Sequence, residues 1–357
     1  LSEPRQVEAY GVKGHEKQKR LSSTSEQPPF FAVLSSNTHD KIEDIPSKAQ
    51  ALEQLSERIA SLNTDEETLD YFEKLTESCR HLSEGSEFKL AERILWTYLP
   101  GIEAIAKLSF QNHARVASIV SQSYLLAASL AGQHNNLMKR LQFSENALLY
   151  GKVANDRNLQ IAAMKQLATT LDLQGHTNEV LQAYQQTIPF LNEISPLLQS
   201  LIYSGISGTY AQLKQRQEAI RYLALAYESF PADPEKDLSF SFANGSYCAL
   251  IFCDGLTHLD FHEPHKAEQI FAQIDGLHPK IQIAKKVRID LLNCQVATYI
   301  ELNEMEQACI YLEEAANVAI IIGSERRFQE SFTLLQQMQK VWPHELRIKQ
   351  LEALFRS

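Results

Sequence analysis

The densest group of metal-ligating and acid–base side chains in the sequence is THLDFHEPH, which places His258, His262 and His265 beside Asp260 and Glu263. Histidines four residues apart share one face of a helix, so His258 and His262 could ligate zinc, with His265 or Glu263 as a third donor. A metal-dependent enzyme centred on His258–His265 is therefore an alternative reading. Against it, Pro264 interrupts a helix within the cluster. We read these residues as polar loop residues and expect neither metal nor cofactor.

Other chemistries find less support. No GxSxG or activated-cysteine motif is present, and the phosphate-cradling patterns GxxxxGK[ST] and GxGxxG are both missing. Cys79, Cys248, Cys253, Cys294 and Cys309 form no CxxC and no framework spacing, and their number is odd. They read as small apolar fillers of a protein from a reducing compartment. Gly205 and Gly208 in YSGISG point to close helix packing. The acidic pairs Glu66-Glu67 and Glu313-Glu314 read as solvated faces and helix-dipole partners, not as a general acid and base. No catalytic residue is assigned.

The elements that must position any site are helical. Gly and Pro together make up 25 of 357 residues, about 7%, against roughly 12% in average proteins, while the apolar share is an ordinary 44%. Few turn residues favour helices joined by short loops. The net charge of −10 speaks against a phosphate-binding surface. No run of about 18 apolar residues and no signal pattern is found, so neither membrane spanning nor secretion is expected, and the location is read as cytoplasmic. The opening residue, Leu1, is what a fragment or processed product would show.

Residues 1–46 are polar, with Ser22, Ser23, Thr24, Ser25, Pro28 and Pro29 and a mildly basic run at Lys13, Lys17, Lys19 and Arg20. They read as a flexible linker or arm. From 47 onward the pattern is continuously helical. Ala51, Leu52, Leu55, Ile59 and Leu62 fall on one face, and Thr64 with Glu67 forms a capping box for the next helix. Helices are expected over 86–109, 113–132, 137–154, 156–174, 177–192, 195–214, 216–229, 236–259, 264–276, 281–302, 304–322, 325–341 and 344–356. Ser195-Pro196 marks a cap followed by a first-turn proline.

A long-period repeat emerges after residue 160. From Met164 the chain places Leu167-Ala168, Leu171, Gly175, Val180 and Tyr184. From Tyr203 it repeats the order with Ile206-Ser207, Tyr210, Ala219, Leu223, Ala226 and Pro231. Looser copies run from Ile251 through Gly255 to Ala267 and Phe271, and from Leu292 through Tyr299 to Ala308, Leu312 and Ala315. These residues resemble the tetratricopeptide repeat family. The landmarks Val180, Ala219, Ala267 and Ala308 are 39, 48 and 41 residues apart, longer than the family's usual 34, as lengthened helices would give, and the family's first-helix Trp is absent. Tyr124, Leu125, Ala127, Ala128, Ala147 and Tyr150 mimic a further copy. The Glu-, Gln- and Arg-rich stretch 324–356 looks like a polar cap.

The resemblance implies an all-α, right-handed superhelical solenoid of antiparallel helix pairs over 47–357, whose first helices line a concave groove. It places Lys165, Thr169, Asp172, Ser204, Gln212, Asn293 and Glu301 on that groove, where they would meet a peptide or protein ligand. A polar segment leading into a long array also resembles the C-terminal part of bacterial helix-turn-helix/tetratricopeptide transcriptional regulators, in which such an array senses a ligand. That implies a sensor or adaptor without enzymatic activity, a homodimer among its assemblies, and no nucleic-acid binding by this portion. A structural scaffold without a ligand switch is the other non-enzymatic reading.

Overall fold

In a computed structural model the chain divides into two units, Leu1–Ser61 and Leu62–Ser357. The structure describes residues 66–108, 113–243, 245–275 and 284–356, all in the second unit. The arm over 1–46, the helix expected near 51–62 and the Thr64 capping box lie outside the described residues.

The described residues form helices joined by short turns, with no strand among them. In order these are α1 (Glu66–Glu84), α2 (Phe88–Leu108), α3 (His113–Gln133), α4 (Leu137–Val153), α5 (Arg157–Leu173), α6 (Thr177–Gln185), α7 (Pro196–Gln212) and α8 (Arg216–Ser229). There follow α9 (Phe240–Ala243), α10 (Tyr247–Asp260), α11 (Pro264–Asp275), α12 (Lys285–Glu301), α13 (Met305–Ile322), α14 (Glu325–Val341) and α15 (Leu346–Leu351). Sequential helices pack against each other, most extensively α3 on α4, α7 on α8 and α12 on α13. The fold is an all-α array of antiparallel helix pairs, the architecture that the tetratricopeptide resemblance implies.

One turn recurs through the array and sets the pairing. Ser86, Asn135, Asn155, Gly175, Lys214, His262 and Asn303 each take a left-handed backbone conformation, with φ between 52° and 77°. At each, the following amide returns to a carbonyl five residues earlier: Asn136 to Ala131, Asp156 to Gly151, His176 to Leu171, Gln215 to Tyr210, Glu263 to His258 and Glu304 to Tyr299. This is the hydrogen-bonded helix stop that uses one left-handed residue, a conformation that Gly and Asn tolerate best. The residues Gly175, Lys214, His262 and Asn303 each precede a landmark of the repeat, Val180, Ala219, Ala267 and Ala308, by five positions. The 39-, 48- and 41-residue spacing is thus the spacing of one turn type.

Small residues let the helices meet. Ala219, Ala226, Ala267, Ala308 and Ala315 are fully buried. First-helix serines bond across the contact to second-helix carbonyls: Ser121 to Ala147 at 2.7 Å, Ser200 to Ala226 at 2.7 Å and Ser207 to Ala219 at 2.8 Å. The Ser121 bond extends the pattern to α3 and α4. A Cβ on Gly205 would overlap the Tyr184 ring, and one on Gly255 the Phe271 ring, so both glycines make room for a large side chain of a second helix. Gly208 has open space around its Cβ direction.

Some boundaries differ from the sequence expectation. The helix expected over 177–192 stops at Gln185 and continues as a 3-10 turn over Ile188–Glu193, because Pro189 lacks the amide a continuing helix needs. The segment expected as one helix over 236–259 is a 3-10 turn, the short α9 and then α10, whose first turn is capped by the Ser246 hydroxyl accepting from the Ala249 amide at 3.1 Å. The start at Ser195-Pro196 is correct, but the Ser195 hydroxyl bonds Ser239, and the free Leu197 amide donates to Asp237 from another segment.

Candidate functional site

Certain polar or ionisable side chains are crowded by protein on most sides without being sealed from solvent. They are Lys165, Thr169 and Asp172 on α5, Cys253 and Asp260 on α10, Lys286, Asp290 and Cys294 on α12, and Arg326 and Glu330 on α14. On α12 the stripe 286, 290, 294 follows helical spacing, so one face of that helix supplies all three. The pairs that bridge neighbouring helices are polar: Gln212 Nε2 donates to Asp172 Oδ1 at 3.0 Å, and Arg326 Nη2 to Asp290 Oδ1 at 3.1 Å.

The sequence-expected groove residues divide. Lys165 donates from Nζ to the Ala243 carbonyl at 3.2 Å, and the Thr169 hydroxyl bonds the Lys165 carbonyl at 2.9 Å. Asp172 and Gln212 bond each other, and Gln212 also accepts from Thr177. Glu301 sits 3.3 Å from His262 Nδ1. The structure therefore brings Lys165, Thr169, Asp172, Gln212 and Glu301 to open or partly open positions. Ser204 and Asn293 lie inside helix contacts, 4% and 7% exposed: Ser204 bonds the Ser200 carbonyl, and Asn293 accepts from Ser331 at 2.7 Å.

Electrostatics around these side chains are governed by burial. Burial depresses the Lys165 pKa to about 8, with the Cys253 thiol opposing and the Arg140 charge adding to the fall. Burial raises Asp260 to about 6 against the pull of Lys214, and pushes the Cys253 thiol up to about 11. A thiol held so high is a poor nucleophile, in keeping with its reading as a filler. Burial works to raise Asp290, but Arg327 and Arg326 hold it below the ordinary carboxylate value. Sequence reasoning missed the arginines and Asp290. The helical stripes 286/290/294 and 326/330 were a signal, but 324–356 read as a cap, whereas Arg326 and Arg327 of α14 turn toward Asp290 of α12 and Gln133 of α3.

The histidine cluster comes apart in three dimensions. His262 is the left-handed residue of the turn and faces Glu301. His258 is buried, with Nδ1 2.6 Å from Glu263 and Nε2 3.5 Å from Asp254, while His265 is exposed. No group of three metal-ligating side chains converges among the described residues. A separate cleft of about 190 Å³ lies between α2, α3 and α4, where Trp96 and Phe143 pack at 5.4 Å beside Glu92, His134 and Lys139.

No family model and no curated protein matches the chain. Among solved structures, the crystal structure of the APC/C hetero-tetramer Cut9-Hcn1 is similar over 85% of this chain and 59% of that one, with 15% identity and a TM-score of 0.41. This chain thus spans less than two thirds of that chain's length.

Proposed function

We propose that the array is a protein-interaction scaffold that holds a peptide or a segment of a partner protein against its polar inner wall, without catalysing a reaction. The observation that carries this reading is the set of charged side chains on the first helices of the pairs: Lys165 and Asp172 on α5, Asp260 on α10, Asp290 on α12 and Arg326 on α14 are crowded by protein but not sealed from solvent. Such a surface offers an extended ligand charged and hydrogen-bonding partners at fixed spacing, with little ordering cost on the protein side. Among the described residues no helix is long and apolar enough to cross a membrane. The most specific form of the proposal is a cytoplasmic sensing module of a bacterial transcriptional regulator, with DNA contact made by another part of the protein.

The test is titration of the purified chain against fluorescent peptides and, separately, against labelled duplex DNA at physiological salt. Peptide binding without duplex binding is expected, because a chain of net charge −10 repels phosphates at long range. Tight duplex binding, better than the roughly micromolar non-specific range, would overturn the proposal.

A further inference from the structure

The connection between α8 and α10 is longer than its counterparts. Ala219 and Ala267 are 48 residues apart, against 39 and 41 for the neighbouring landmarks, and the surplus lies in residues 230–246. This segment folds back onto the array instead of looping away from it. Both of its feet rest on α7. At the first, Asp237 accepts the Leu197 amide at 3.1 Å and the Ser239 hydroxyl at 2.7 Å, while the Ser195 hydroxyl donates to Ser239 at 2.9 Å. At the second, Leu197 and Leu201 pack on Gly245 so closely that a Cβ there would come within 2.9 Å of Leu197 Cδ1.

Between the feet, α9 reaches other first helices of the array. α1 lies beside α3, α3 beside α5 and α5 beside α7, and α9 packs on α3 as well as on α7. The buried Phe242 shares a gap of about 10 Å³, room for no more than a water, with Arg80 and Ser83 of α1 and Gln122, Leu125 and Leu126 of α3. The carbonyl of the next residue, Ala243, accepts the Lys165 ammonium of α5 at 3.2 Å. Two adjacent residues thus present a ring and a main-chain acceptor to three successive first helices, as a bound peptide would. The residues just before them turn outward: Leu238 is 81% exposed, and Phe240 is exposed as well. The attachment of the segment to α1 and α5 therefore centres on one ring and one hydrogen bond, few enough for a partner's contacts to replace.

We propose that residues 237–243 are a strap that occupies part of the peptide site in cis, and that a partner segment must displace Phe242, with an aromatic side chain of its own, in order to bind. The proposal rests on the peptide-binding reading and adds its regulation and the kind of side chain the site takes. A strap tethered at both ends competes at an effective concentration on the order of millimolar, so modest contacts suffice to hold the seat closed against a free peptide. Removing the Phe242 ring while Asp237 and Ser239 stay keeps the first foot in place and opens the seat.

The experiment uses the full chain and two fluorescent, acetylated and amidated decapeptide libraries of mixed composition, one with Phe fixed at its centre and one free of aromatic residues. Binding is read by polarisation for the wild type, Phe242→Ser and Phe242→Leu, with circular dichroism to verify folding. Phe242→Ser should bind the Phe library roughly tenfold more tightly than the wild type does, with Phe242→Leu in between, because leucine keeps an apolar group in the seat. The acetylated, unlabelled peptide of residues 236–243, KDLSFSFA, should displace that library from the Phe242→Ser chain. An equal gain for the aromatic-free library, or no displacement by the strap peptide, overturns the proposal. Equal affinity of all three chains for both libraries overturns the strap but leaves the peptide-binding reading intact, and binding by none of the chains overturns both. Should Phe242→Ser fail to fold, Phe242→Leu decides: no gain over the wild type for the Phe library overturns the strap.

Discussion

Arg327 and Gln133, 194 positions apart in the chain, are in contact: the arginine Nη1 donates to the glutamine Oε1 at 2.5 Å. The same oxygen accepts the Ser324 hydroxyl at 3.2 Å, and next to it His134 stands 3.3 Å from Glu92 and 3.7 Å from Glu325. α14 thereby meets α3, far from its neighbours in sequence. Arg327 is also the principal partner of Asp290, at 2.7 Å.

Removing Arg327 should therefore be costly. Arg327→Ala leaves Asp290 short of a partner in a recessed position, and a loss of about 3 kcal/mol or more is expected by denaturant unfolding. Gln133→Ala removes only a neutral acceptor and should cost about 1–2 kcal/mol. A loss below about 1 kcal/mol for Arg327→Ala, the range of exposed ion pairs, would show that α3 and α14 are not joined in this way.

Ala219→Trp tests the repeat register. Ala219 is fully buried, and its carbonyl accepts the Ser207 hydroxyl, so α7 and α8 meet there at backbone distance. A large side chain must push them apart, at a cost of about 1–3 kcal/mol or more. An unchanged melting temperature would contradict this contact.

Asp260 predicts a pH dependence. Its folded pKa, about 6, lies above the ordinary 3.8, so the folded state keeps a proton that the unfolded chain has released. Stability from this group accordingly falls as pH rises between about 4 and 6 and stays lower above that window. Asp260→Asn should stabilise the fold at pH 7.5, by about 1–2 kcal/mol after allowance for solvent screening, and the gain should vanish below about pH 4. An Asn variant no more stable at pH 7.5 than at pH 4, relative to wild type, would refute it.

The histidine turn predicts an absence of zinc. His258, His262 and His265 point to different surroundings, so elemental analysis of protein purified without chelators should find no stoichiometric metal. One zinc per chain, lost in His258→Ala, would require the turn at His262 to rearrange and would revive the enzymatic reading.

The sequence by itself determined the helices and the repeat. Apolar residues at 3.6-residue spacing fix which segments become helical, and the small landmarks Val180, Ala219, Ala267 and Ala308 fix where second helices meet first ones, since only small side chains permit that approach. Gly175 marked its turn legibly because Gly tolerates the left-handed conformation. Lys214 and His262 take it without that signal, imposed by the packing of the helices on either side. Only the tertiary structure decided which polar residues face inward. Ser204 and Asn293 occupy the same kinds of helix as Lys165 and Asp172, yet a rotation of a residue or so about the helix axis puts them into contacts and leaves the others open. The meeting of Gln133 with Arg327, the capping of Leu197 by Asp237, and the bonds of Arg140 to Gln166 and Thr170 all depend on segments apart in sequence coming together, and a local pattern carries no record of such distances.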